Sequence, residues 1–256
     1  MITETYEECV ANFLTTLPQY LGYGGLLVQK DKDGGDSALR FSTMFTLLGL
    51  IGDHELIDKA ARIHPSMFRA FQQIEVSKGI YRRYPDPTFW GFDPRNMSRD
   101  QLSIVKLAML MTDNPKIKDI AVRQLLRLGF HQNYFDDGHY KIPDPMVPSE
   151  LATYLRAFLG PWSRLFNEGL DAFMLLDLVF RNVGELNIWS TDQLLAQNLL
   201  VAKHKYETWS AKVIMFFYKK TNMLTRLWNY HANPKNNGCE PLYWLYMAAF
   251  KKLEGL

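Results

Sequence analysis

The chain has 256 residues, 47% hydrophobic and 22% charged, which is enough apolar material for a sizeable core in a folded, soluble protein. Its formal net charge is only +2 and it has no long run of like charges, so nothing indicates a nucleic-acid-binding face or an electrostatic membrane anchor. Two cysteines, Cys9 and Cys239, and six scattered histidines argue against a disulfide framework and against a metal site.

The amino-terminal sequence MITETYEECVANFL is acidic and lacks the basic start and apolar run of a signal peptide. The longest apolar runs in the chain are interrupted and too short to cross a bilayer. We therefore expect a cytoplasmic protein that has no contact with a membrane and keeps its two thiols free.

Helices dominate the predicted secondary structure, and strand signals are weak. Apolar periodicity and capping residues predict helices at 3–16, 37–51, 54–63, 66–74, 98–112, 115–129, 149–159, 163–181, 191–205, 208–220 and 240–253. Two long stretches, 75–96 and 130–148, are predicted to be irregular, and each contains a Pro-Asp-Pro tripeptide that disfavours helix. Loops of that length often have a function.

The predicted helices alternate in character. Segments 37–51 and 98–112 are apolar nearly all round, whereas the helices that follow them are amphipathic. This alternation indicates helical hairpins with an inner and an outer layer. The fold prediction is therefore an all-α, single-domain protein over residues 1–256, an α/α-toroid of about five hairpins with about 10–11 helices.

An acid lies in the first turn of each predicted inner helix. These acids recur as a loose repeat of one hairpin plus a loop, at Asp36, Asp100, Glu150, Asp192 and Glu240. Capping of backbone N–H groups and of the helix dipole would explain each acid separately. In a ring of hairpins, however, the inner helices all start at the same mouth, which would bring the carboxylates together.

The segment DKDGGD, residues 31–36, begins the first inner helix. Its alternating acids resemble the start of a calcium loop, but the later EF-hand ligands are missing. The glycines allow a tight turn and a close approach of a ligand to the backbone, beside Asp33. Asp36 then starts the helix and Arg40 follows one turn later, within pairing reach. Both a structural Asp36–Arg40 pair and a substrate-facing pair fit this spacing.

The segment FWGFDPRNMSRDQL, residues 89–102, forms a loop and the entrance of the second inner helix. It contains a capping box at 98–101. Charges of both signs beside aromatic rings suit a polar, ring-shaped ligand, and salt bridges that lock the loop would explain the same composition. The candidate residues here are Trp90, Asp93, Arg95, Arg99, Asp100 and Gln101.

The helix starts DGGDSA.R and RNMSRDQL, with the ending NNGCEPLYWLY, resemble a group of largely uncharacterised bacterial and phage proteins. Their predicted fold is similar to the six-hairpin glycosidase toroid. The chain is short for six full hairpins, so an incomplete ring, or one closed by the first helix, is expected. The resemblance implies that one cleft contains Asp36, Arg40, Arg95, Arg99, Asp100 and Glu240.

Such a cleft would suit glycoside hydrolysis, in which one carboxyl group protonates the leaving oxygen while another activates water or attacks. Asp36 and Asp100 are the expected pair, with Glu240 as the substitute. Arginines at the mouth would suit an anionic sugar. A lyase or epimerase would instead use a tyrosine or histidine as the base, and His139 and Tyr140 are a close Tyr–His pair outside a predicted helix.

Motifs of other enzyme classes are missing from the sequence. Serine-hydrolase, P-loop and dinucleotide-binding signatures do not occur, so no cofactor is expected. Two hypotheses remain: a carbohydrate-active protein that binds or cleaves a polysaccharide or sugar conjugate, and a non-enzymatic helical scaffold or binding module. The scaffold hypothesis predicts carboxylates used in helix caps and an exposed apolar patch, and a phage origin would allow a virion-associated location.

Overall fold

Helices make up most of the structure, which is a computed structural model. It describes residues 3–29, 35–63, 69–85, 97, 99–127, 131–136, 139–145, 148–166, 169, 170, 172, 225, 227–235 and 238–254. The α-helices are α1 (Tyr6–Thr16), α2 (Ser37–Ile51), α3 (His54–Ile63), α4 (Ala70–Ile74), α5 (Arg99–Met111), α6 (Ile117–Val122), α7 (Pro148–Leu159) and α8 (Glu240–Glu254). Short 3₁₀ or π turns lie at Leu17–Tyr20, Tyr23–Gly25, Arg123–Arg127, Gly160–Phe166 and Trp228–Ala232.

The all-α prediction is confirmed for the described part of the chain. The helices predicted at 37–51 and 54–63 have those bounds, and the last helix extends one residue beyond its prediction. Of the helix predicted at 66–74, residues 70–74 form α4, and residues 66–68 lie outside the described residues. The helix predicted at 115–129 turns from α-helix to π-helix after Val122. The helices predicted at 191–205 and 208–220, and most of the one at 163–181, lie outside the described residues.

The prediction of an irregular segment at 130–148 is wrong. This segment forms an antiparallel hairpin of β3 (His131–Asp136) and β4 (His139–Pro145), in which Asp136 pairs with His139 across a two-residue connection. The connecting residues are Asp-Gly, the sequence that favours a tight hairpin turn. The flanking residues are aromatic and polar rather than β-branched, which hid the strand signal. The prediction of an irregular segment at 75–96 is also wrong in its first part, where a smaller hairpin pairs β1 (Glu75–Ser77) with β2 (Ile80–Tyr81). Residues 86–96 lie outside the described residues.

Helix α2 lies in the core, and every residue in it except Gly49 is buried. Its buried threonines satisfy their hydroxyl groups locally, because Thr43 and Thr46 each donate a 2.9 Å hydrogen bond to the carbonyl oxygen four residues earlier. The helix ends at Gly52, whose left-handed backbone (φ 64°) lets its N–H donate to the carbonyl oxygen of Leu48. The sequence expectation of an all-round buried helix is confirmed.

Helix α5 runs beside α2 in the same direction. At their starts, Nε2 of Gln101 donates to the carbonyl oxygen of Gly35 over 3.4 Å. At their ends, a Cβ atom on Gly49 would lie 3.1 Å from Cε of Met111, so the lack of a side chain permits the close approach. Two helices that meet at both their starts and their ends are parallel neighbours.

Helix α8 also packs against α2, and the two helices end at the same end of the molecule. Nζ of Lys252, near the end of α8, lies 5.5 Å from the ring centroid of Tyr6. The hydroxyl group of Tyr6 donates a 2.8 Å hydrogen bond to Asp53, directly after α2. At the opposite end Tyr20, which follows α1, lies beside the backbone of Glu240. Helices α8, α2 and α5 therefore lie side by side with a common direction, and α1 packs antiparallel to α8.

The entry of the chain into α8 depends on a glycine. A Cβ atom on Gly238 would lie 2.1 Å from the carbonyl oxygen of Tyr230 and 2.5 Å from Cα of His231. Both are backbone atoms, so neither can move aside cheaply. We expect Gly238→Ala to lower the free energy of unfolding by about 1–3 kcal/mol, measured by urea denaturation.

Gly169→Ala is the matched control for this prediction. No heavy atom of the described chain lies within 4 Å of a Cβ at that position, and the residue is exposed. Equal denaturation midpoints for the two variants would contradict the close approach before α8.

Candidate functional site

The common start of α2 and α5 is the first candidate site. Asp36 occupies the N-cap position of α2, but its carboxylate accepts no hydrogen bond from the first-turn N–H groups of the helix. Its backbone (φ −118°, ψ 23°) is not in the extended conformation that a capping side chain requires. The expected capping role of the Asp36 carboxylate is therefore wrong. The N–H of Ala38 donates instead to the carbonyl oxygen of Arg83, over 2.9 Å.

The carboxylate of Asp36 is held by groups from both helices. Its Oδ2 lies 3.6 Å from Nη2 of Arg40, as the spacing of four residues predicted. Its Oδ1 accepts a hydrogen bond from Nε2 of Gln101 in the first turn of α5. The side chain of Arg40 is 1% exposed, whereas that of Asp36 is 12% exposed. The pair thus compensates a buried guanidinium, and its carboxylate end remains within reach of solvent.

Glu240 is the first residue of α8 and is partly exposed. Its Oε1 accepts a 3.1 Å hydrogen bond from Nε1 of Trp244, one turn further along the helix. Because α8 runs in the same direction as α2 and α5, Glu240 lies toward the end of the molecule at which Asp36 begins α2.

The other predicted site residues divide into two groups. Asp33, Trp90, Asp93 and Arg95 lie outside the described residues. For the rest the backbone alone is described: Arg99 and Asp100 are the first two residues of α5, directly before Gln101, and His139 and Tyr140 begin β4. The proposed catalytic pair of Asp36 and Asp100 therefore stays a prediction.

A buried polar cluster that sequence reasoning missed joins α5, the π turn after α6 and α7. Nζ of Lys106 forms an ion pair with Oε1 of Glu150 and donates a 3.2 Å hydrogen bond to Oε1 of Gln124. Oγ of Ser103 donates to the same Glu150 oxygen over 2.9 Å, and the Tyr154 hydroxyl group donates to Gln124. All five side chains are at most 2% exposed.

Burial governs the protonation chemistry of this cluster. Desolvation lowers the pKa of Lys106, and the negative charge of Glu150 opposes that change. Burial also raises the pKa of Tyr154 well above its usual value, so the phenol remains a hydrogen-bond donor. Because no member of the cluster reaches solvent, we assign it to the core rather than to a ligand site. The prediction that the Glu150 carboxylate joins the other inner-helix acids at one mouth is therefore wrong. The signal that could have found it is a lone lysine on an otherwise apolar helix.

Two other kinds of site are not found in the part of the chain that the structure describes. No group of three or more His, Cys, Asp or Glu side chains there is arranged to hold a metal ion. No helix within the described ranges is long and apolar enough to cross a membrane. Both cysteines are free thiols in the core.

We compared the chain with protein-family models, with curated proteins and with solved structures, and none of the three comparisons gives a match. The resemblance to six-hairpin glycosidase toroids therefore rests on the short motifs and on the order of the helical hairpins. What the site can do has to follow from the contacts of its own residues.

The buried polar cluster supplies a stability test. Lys106→Met would leave the carboxylate of Glu150 buried without its counter-charge, and we expect a loss of about 3–5 kcal/mol in the free energy of unfolding. The double variant Lys106→Met/Glu150→Gln removes both charges and should recover part of that loss, as measured by urea denaturation.

Lys59→Met is the control, because Lys59 pairs with Glu55 at the surface, where both side chains are well exposed. It should change the free energy of unfolding by less than about 0.5 kcal/mol. A Lys106→Met variant as stable as the control would contradict the buried ion pair.

Proposed function

We propose that the chain binds a carbohydrate at the end where α2, α5 and α8 begin. The observation that carries this proposal is the Asp36 carboxylate, which side chains from two helices orient at a partly exposed position. A few precisely held polar groups are what a site needs in order to select a ligand rich in hydroxyl groups. Asp36 is the proposed acceptor of sugar hydroxyl hydrogen bonds.

The proposed architecture is an α/α-toroid. The common direction of α8, α2 and α5 supports it, because inner helices of a toroid all start at one mouth. The position of α8, the last described helix, beside α2 also supports a ring in which the end of the chain packs against its first inner helix. In this arrangement Asp36, Asp100 and Glu240 belong to one mouth.

Cleavage of the sugar is the second part of the proposal and uses the same residues. Asp36 and Asp100 are the proposed carboxyl pair for glycoside hydrolysis, and Glu240 is the substitute. Asp100 directly precedes Gln101, whose side chain reaches Asp36, and this adjacency supports the pairing. The guanidinium group of Arg40 beside Asp36, together with Arg99 at the start of α5, would favour an anionic sugar.

Binding can be tested by isothermal titration with cellohexaose, xylohexaose and hexagalacturonate. We expect Asp36→Asn to weaken the binding of the preferred hexasaccharide at least about tenfold, since the amide loses the charged acceptor. Asp53→Asn is the matched control, because it makes the same chemical change at the opposite end of α2 and should alter the affinity by less than about twofold.

A second variant separates loss of binding from loss of folding, because Asp36→Asn leaves Arg40 buried beside a neutral partner. Gln101→Leu keeps the Asp36–Arg40 pair but removes the amide that orients the carboxylate. It should also weaken binding. Wild-type protein that binds none of the three hexasaccharides, or Asp36→Asn protein that binds as well as the Asp53→Asn control, would overturn the proposal.

A non-enzymatic docking scaffold is the second candidate function, favoured by one observation. Large apolar side chains are exposed near the ends of α6 and α7 and in the turn after α7, where Trp162 is 70% exposed; the group comprises Val122, Leu126, Phe158, Trp162, Leu165 and Phe166. Exposed apolar groups concentrated in this way are typical of interaction surfaces. The scaffold candidate predicts that the wild-type protein binds none of the hexasaccharides, so the same titration separates the two functions.

A further inference from the structure

The rings of Tyr23 and Tyr84 lie against each other, and the residue before Tyr84 hydrogen-bonds to the first turn of α2. Tyr23 is 64% exposed and Tyr84 is partly exposed, and their ring centroids are 6.4 Å apart with an angle of 60° between the ring planes. Tyr84 directly follows Arg83, whose carbonyl oxygen accepts the N–H of Ala38 in α2. The tyrosine pair is thereby attached to the helix start that holds Asp36.

The backbone under Tyr23 is firmly held although its ring faces solvent. The backbone N–H of Tyr23 donates to the hydroxyl oxygen of Tyr84 over 3.1 Å. The N–H of Gly22 donates to the carbonyl oxygen of Leu26 over 2.8 Å, and the N–H of Leu26 donates back to the carbonyl oxygen of Tyr23. Hydrogen bonds on both sides of Tyr23 thus fix the direction in which its side chain leaves the backbone.

The next residue strengthens this restraint. Gly24 has a left-handed backbone (φ 66°), and its carbonyl oxygen accepts a 3.0 Å hydrogen bond from Nε2 of Gln73. The left-handed backbone favours glycine, and a Cβ atom at this position would lie 1.8 Å from Oε1 of Gln73 and displace its amide. The turn is therefore tied to α4 as well as to Tyr84.

An exposed aromatic ring on a fixed backbone suits a ligand that stacks. A ring that contributes little to the core gains apolar contact only when something covers it, and a fixed position reduces the entropy lost on binding. The C–H groups on one face of a pyranose ring form a flat apolar surface of matching size. We propose that Tyr23 and Tyr84 form a stacking platform for a pyranose unit of the carbohydrate bound beside Asp36.

This inference rests on the proposed function, because it takes the same ligand and adds the part of the site that binds its apolar face. Tyr23 supplies the exposed ring. Tyr84 positions that ring, since its hydroxyl oxygen accepts the hydrogen bond from the Tyr23 backbone. The Tyr84 ring, inclined at 60° to that of Tyr23, forms the second face of the platform. The charged Asp36 would bind hydroxyl groups, and the tyrosines would bind carbon-bound hydrogens on the neighbouring sugar.

Three single variants test the platform by titration with the hexasaccharide that the wild type prefers among cellohexaose, xylohexaose and hexagalacturonate. Tyr23→Ala should weaken binding at least about tenfold, whereas Tyr23→Phe keeps the ring and should stay within about twofold. Trp162→Ala is the matched control, because Trp162 is an equally exposed aromatic residue in the turn after α7, and it should leave the affinity unchanged.

Each outcome decides one claim. Loss of affinity in Tyr23→Ala, with retention in Tyr23→Phe and Trp162→Ala, supports the platform. Tyr23→Ala protein that binds like wild type, while Asp36→Asn protein does not, overturns the platform and leaves the proposed function standing. Equal losses in Tyr23→Ala and Trp162→Ala also overturn the platform, and wild-type protein that binds no hexasaccharide overturns both.

Discussion

The burial of α2 on all sides is the constraint on which the rest of the structure depends. A helix with no face to water has to be covered by other elements, and α5 and α8 lie along it while Phe71 of α4 packs edge-on against Phe41, with 5.1 Å between ring centroids. Each polar group on such a helix also needs a partner inside the protein. Nη2 of Arg40 finds such a partner in the carboxylate of Asp36, so the candidate site starts as a requirement of folding.

The same requirement is met differently on α5. Lys106 is as completely buried as Arg40, but its partner Glu150 is buried too, and Ser103 also contacts that carboxylate. The Asp36–Arg40 pair lies at the end of its helix, and its carboxylate keeps some exposure. Two ion pairs of similar chemistry therefore differ in their access to a ligand. The enclosed pair fixes α7 against α5, whereas the end pair can still meet a ligand.

Apolar periodicity and residue spacing predicted the features that depend on neighbouring residues in the sequence. The apolar run between Asp36 and Gly52 gave the bounds of α2, and the four-residue spacing gave the Asp36–Arg40 pair. The Asp-Gly pair between β3 and β4 is also a local signal, but the residues that flank it are not β-branched, so the strand pattern around it is weak. Lys106 could have been found by the argument used for Arg40, because a charge on an apolar helix needs a partner.

The remainder depends on contacts between distant parts of the chain. The amide of Gln101 reaches Asp36 across 65 residues of sequence, and no periodicity predicts that contact. Asp36 does not cap its helix, and the carbonyl oxygen of Arg83, far along the chain, accepts the first-turn N–H of Ala38 instead. Tyr84, whose ring lies against that of Tyr23, is connected to α2 through the same contact, since it follows Arg83.

The most direct measurement of the central claim is a crystal structure of the protein soaked with oligosaccharides, including uronic acids. If the common start of α2 and α5 is a carbohydrate site, sugar density will lie within hydrogen-bonding distance of Asp36, with a pyranose face against Tyr23. Sugar bound elsewhere, or a site at Asp36 that stays empty at saturating ligand, would contradict the account.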